Sequence, residues 1–76
     1  MPHSLMNHET LLKIARMKMP FGKYAGRHLI DLPEEYLLWF DKKGFPTGEL
    51  GQLLQITLAL KIEGLEAVVR PLKYQD

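Results

Sequence analysis

The residues best equipped for chemistry lie between positions 18 and 28. Lys18, Lys23, Arg27 and His28 bring charge or titratable nitrogen, with Phe21 and Tyr24 set among them. Basic groups neutralise phosphates and an exposed aromatic face stacks on an unpaired base, so this mixture suits a nucleic acid. Gly22 and Gly26 flank the centre of the cluster, and a residue without Cβ lets the backbone approach a phosphate closely. A blander reading leaves the charges solvated and sends the aromatics inward. Phe21 is expected in the core on that ground, and Tyr24 fits either reading. The segment is not a P-loop, because it lacks the wide glycine spacing and the Lys-Ser/Thr pair.

Other groups offer less. His3 and His8 sit near the N-terminus and His28 stands alone, with no cysteine and no His-Glu-x-x-His spacing, so no metal site and no cofactor are expected. Asp31, Glu34 and Glu35 resemble a catalytic carboxylate group, but acids at the start of a helix are explained by its dipole. The serine and threonines show no partner base. No small-molecule substrate is evident, and the chain reads as a non-enzyme. A second aromatic group, Tyr36, Trp39 and Phe45, surrounds the next element. Tyr36 and Trp39 share a helical face. Core packing is expected for them, whereas an exposed Trp39 would mark a partner-binding patch.

Four segments must position these residues. Residues 8–18 read as a helix capped by Asn7, with Glu9 in its first turn and Pro20 as its stop. Residues 20–32 read as a β-hairpin turning at Ala25-Gly26. Its second arm alternates His28, Ile30 and Leu32 against Arg27, Leu29 and Asp31. Residues 33–43 carry the clearest helical signals: Pro33 at the start, acids then lysines at the matching ends, Gly44 and Pro46 beyond. Residues 48–63 form a longer helix with Thr47 as its expected cap and a stripe of Leu50, Leu53, Leu54, Leu58, Ile62 and Leu65. One further turn is expected before Pro71. The order α-ββ-α-α implies a small, helix-dominated α+β domain. It spans residues 1–76, with 1–6 expected to be disordered and 73–76 a polar tail.

Composition agrees with one small globular unit. The chain has 76 residues, 46% hydrophobic and 25% charged, which argues against disorder. No apolar run approaches the roughly 18 residues that cross a bilayer, so no membrane association is expected. Without a signal peptide or cysteine, a cytoplasmic location is expected. The net charge of +1 hides an asymmetry, since residues 1–31 hold five basic and two acidic side chains and the remainder five and seven. A polyanion would approach from the N-terminal half.

The residues also carry a resemblance. Met19-Pro-Phe-Gly-Lys-Tyr-Ala-Gly-Arg-His-Leu-Ile-Asp-Leu-Pro33, then Tyr36-Leu-Leu-Trp-Phe40, Gly44-Phe-Pro46, Gly48-Glu-Leu-Gly51, Gly64-Leu65 and Pro71-Leu72, resemble a short bacterial family of unknown function. That family is described as a putative quorum-sensing-regulated virulence factor. The first half is also similar to the small C-terminal module of some bacterial 3′–5′ exonucleases. There a Pro-Phe-Gly-Lys-x-x-Gly-Lys/Arg segment precedes a Pro-x-x-Tyr-Leu-x-Trp helix. This resemblance implies an accessory module rather than nuclease activity, because the nuclease's acidic metal motifs have no counterpart here. Ala25 replaces the basic residue usual in that turn, which removes one phosphate contact.

The expected function is therefore a non-enzymatic accessory module that binds nucleic acid through Lys23, Tyr24, Arg27 and His28, with Lys18, Lys13 and Arg16 extending the surface. The alternative is a protein-interaction module or homodimer, motivated by the broad apolar surface of residues 50–65.

Overall fold

A computed structural model describes residues 7–74 of the chain. The expectations for residues 1–6 and for the last two residues of the tail lie outside that range. Helix α1 covers His8–Arg16, where the Asn7 side chain accepts the Thr10 N–H at 2.8 Å. It buries Ile14 and Ala15. Helix α2 covers Glu34–Lys43 after Pro33, and Gly44 closes it at φ +110° with its N–H on the Phe40 carbonyl. Helix α3 covers Glu49–Ile62 and α4 covers Glu66–Val69. Short 3-10 turns occupy Leu29–Asp31 and Arg70–Tyr74.

The α+β expectation fails: among the described residues there is no strand and no sheet. One antiparallel bridge, Lys18 with His28, is all that remains of the β-hairpin. Three backbone hydrogen bonds close it: Leu29 to Met17 at 2.9 Å, and Gly26 to Met19 and Met19 to Arg27 at 2.8 Å each. The connection runs from Pro20 to Ala25, so Ala25-Gly26 is not a two-residue turn. Two causes are physical. Pro20 has no N–H with which to extend the ladder. Leu29, Ile30 and Leu32 are also all fully buried, whereas alternation would send Leu29 to the opposite face from the other two. A 3-10 turn rotates all three inward.

Helix α3 is the centre of the molecule, with Leu53, Leu54, Ile56, Leu58 and Leu60 buried on several sides. Burying one such side chain fully contributes about 1.5–3 kcal/mol. The broad apolar surface of this helix is thus mostly core, although Ile62 and Leu65 leave the expected stripe and are exposed. Its N-cap is Gly48 at φ +84°, not Thr47, and no side chain caps it. Gly51 lets the helix rest on the preceding loop: a Cβ there would fall 1.8 Å from the Pro46 carbonyl oxygen.

The C-terminal segment is not a free tail from residue 73. Val69 is fully buried, and Arg16 Nε donates to the Leu72 carbonyl at 2.9 Å. Lys73 and Arg70 both hold the Asp31 carboxylate, the latter at 3.2 Å. Lys61, its side chain nearly covered, donates to the Ile30 carbonyl at 2.9 Å and pairs with Glu66 at 3.3 Å. These contacts fasten the 3-10 turn at Leu29–Asp31 to the end of α3 and to the C-terminal 3-10 turn.

Candidate functional site

The loop from Pro20 to His28 and the outer face of α2 enclose an open cleft of about 310 Å³, lined by Lys23, Tyr24, Glu35, Tyr36 and Trp39. The two aromatic groups that look separate along the chain therefore share one surface. The loop is shaped by Gly22 at φ +80° and Gly26 at φ +90°. Successive turns, Ala25 N–H to Gly22 at 3.2 Å and Arg27 N–H to Tyr24 at 3.0 Å, present Lys23 and Tyr24 at the tip. On α2, Glu35 and Trp39 are one turn apart and so emerge on the same side.

A row of aromatic rings joins the two elements. Tyr24 meets Tyr36 edge-on at 4.8 Å, Tyr36 meets Phe40 at 5.0 Å, and Phe40 meets Trp39 at 5.1 Å. Phe45 stacks on Phe40 from behind, 6.0 Å away. Edge-to-face pairs at such separations add to the burial they bring. Phe40 anchors the row in the core, while Trp39 is 52% exposed, so core packing does not describe Trp39. Phe21 is exposed as well, at 44%, which overturns its expected core position. It adjoins Gly22, whose φ is +80°.

Charge at the loop tip is organised by Tyr24. Lys23 Nζ lies 5.5 Å from the ring centroid and Arg27 Cζ 5.1 Å from it. Both distances allow cation–π attraction. The half-buried Tyr24 ring thus orients two cations, and the open aromatic surface of the cleft is that of Trp39. Burial, followed by the charge of Tyr24, pushes the Tyr36 phenol above its ordinary range, so its hydroxyl keeps its proton.

The remaining predicted residues divide. Lys18 is exposed and His28 half-buried where the loop closes, and His28 Nδ1 is 3.9 Å from Asp31. Neither lines the cleft. Lys13 and Arg16, expected to extend the basic surface, are taken up elsewhere: Lys13 pairs with Glu49 at 2.5 Å and Arg16 binds the Leu72 carbonyl. The hydrogen bond and charge of Glu49 hold the Lys13 ammonium above its usual range. His8 is exposed on α1, and His3 lies outside the described residues. Sequence reasoning missed Glu35 as a cleft residue and Asp31 as a clamp. The i,i+4 spacing of Glu35 and Trp39 was the available signal for the first. Nothing along the chain marks the second.

The fold and cleft define a small helical module with an open, aromatic-lined surface, and no helix among the described residues is long and apolar enough to cross a membrane. The chain belongs to the family described as "Putative quorum-sensing-regulated virulence factor", which matches residues 7–72. A relative named "Uncharacterized protein YpeB", from Escherichia coli (strain K12), is 64% identical over 69 residues, spanning 90% of this chain and 96% of the relative. The protein of the same name from Escherichia coli O157:H7 matches to the same extent. No solved structure matches the chain. The family description speaks of regulation and names no ligand.

Proposed function

We propose that this chain is a non-enzymatic module that binds single-stranded nucleic acid in the cleft between the glycine loop and α2. The observation that carries this reading is an exposed Trp39 on the same open cleft as Lys23, with Arg27 held beside it through Tyr24. A base stacked on Trp39 contributes about 1–3 kcal/mol. Lys23 and Arg27 neutralise the adjoining phosphates. Bases in a duplex are already stacked on their neighbours, so an unpaired strand is the ligand this surface suits. The similarity of residues 19–39 to an accessory module of exonucleases supports the same reading. Self-association has less support, because most of the apolar surface that motivated it is buried in α3's own core.

The test uses labelled single strands and duplexes of DNA and RNA, read by anisotropy and by quenching of Trp39, the chain's single tryptophan. Single strands should bind and quench. Two phosphate contacts give a slope of about −1.4 in log affinity against log salt. A folded Lys23→Ala/Arg27→Ala variant should lose binding, and Trp39→Ala should weaken it. Absence of binding to every strand at low salt would overturn the proposal.

A further inference from the structure

Phosphate binding leaves one cleft residue unexplained, the carboxylate of Glu35. It lines the same surface as Lys23 and Trp39. The helix dipole accounts for acids at this end of α2, but it does not distinguish Glu35 from Glu34, and Glu35 is the one on the cleft. A carboxylate repels phosphate and only accepts hydrogen bonds. Glu35 therefore assigns directions within the cleft. The strand's backbone belongs toward Lys23, with Arg27 beyond the lining and against the Tyr24 ring, and the base edge facing Glu35 must donate.

The four bases differ in what they offer there. Guanine presents two adjacent donors, N1–H and the 2-amino group, which match the two oxygens of one carboxylate. Cytosine and adenine present one amino group beside a ring-nitrogen acceptor. Uracil and thymine present one N–H between two carbonyls. Against an acceptor-only group, those neighbouring lone pairs stay unpaired and repel, and unsatisfied polar groups are costly.

Resting on the single-strand reading above, we propose that the cleft selects unpaired guanine, with its ring on Trp39, its Watson–Crick edge donating to Glu35, and its flanking phosphates on Lys23 and Arg27. The experiment titrates short oligouridines carrying one central guanosine, inosine, adenosine or uridine, and their DNA counterparts, into the wild type and Glu35→Gln. Inosine is guanosine without the 2-amino donor. The wild type should prefer guanosine over inosine and adenosine by roughly tenfold, the scale of one good bidentate base contact. Glu35→Gln, with circular dichroism to confirm its fold, keeps one accepting oxygen beside an amide donor and should lose most of that preference. Equal affinity for all four oligomers, or a preference that survives Glu35→Gln, would overturn the guanine assignment and leave the single-strand reading standing. No binding of any oligomer would overturn both.

Discussion

At φ +80°, Gly22 holds a backbone conformation that disfavours any other residue by about 1–2 kcal/mol. A Cβ there would also lie 2.9 Å from the Tyr36 hydroxyl oxygen. Gly26 has a similar φ of +90°, with nothing within 4 Å of its Cβ position. The pair separates strain from contact. Gly22→Ala and Gly26→Ala should each lower stability by about 1–2 kcal/mol in urea unfolding. Only Gly22→Ala should also weaken oligonucleotide binding, because it displaces Tyr36 and with it the Tyr24 ring that orients Lys23 and Arg27. Equal affinities in the two variants would show that the Tyr36 contact does not shape the cleft.

Helix α3 depends on a different glycine. Gly51 lies in its first turns, where propensity alone predicts that alanine would stabilise by about 1 kcal/mol. The packing predicts the opposite sign. A methyl group 1.8 Å from the Pro46 carbonyl oxygen meets backbone that no side-chain rotation can move aside. Gly51→Ala should therefore destabilise by about 1–3 kcal/mol or more, read as a lower urea midpoint. An unchanged or higher midpoint would mean that the loop from Gly44 to Gly48 yields easily. At this same scale the hairpin expectation failed. Glycines, aromatics and apparent alternation look alike in a strand and in a looped turn, until burial of Leu29 beside Ile30 decides between them.

Across the whole molecule, Asp31 joins segments far apart in sequence. Burial pushes its carboxyl up, but hydrogen bonds from Lys73 and Arg70, with their charges, outweigh burial and hold it below its ordinary value. A lowered folded-state pKa stabilises above the unfolded value of 3.8 and is lost as pH falls through the folded one. Wild-type stability should therefore drop below about pH 5 more than that of Asp31→Asn, which has no such proton to take up. The difference is small, since the carboxylate is partly solvated and such pairs are screened. Parallel acid slopes in urea unfolding of the two proteins would remove Asp31 from the clamp.

Local chemistry decided much of this protein. Asn7 had to cap α1, Pro33 and Gly44 had to bracket α2, and the leucines of α3 had to face a core, because caps, stops and helical spacing act within a few residues. The start of α1, both ends of α2 and the candidate cations Lys23 and Arg27 were legible for that reason, whereas α1 stops at Arg16 short of Lys18 and Gly48 takes the place of Thr47 before α3. Contacts between distant segments decided the rest. The burial of Leu29, Ile30 and Leu32 together replaced a strand by a 3-10 turn. Lys13 and Arg16 were drawn into contacts with Glu49 and Leu72, 36 and 56 positions away. The docking of the glycine loop against α2 placed Trp39 and Glu35 beside Lys23. None of these is written in a local pattern, because each depends on which surface remains once α3 has filled the core.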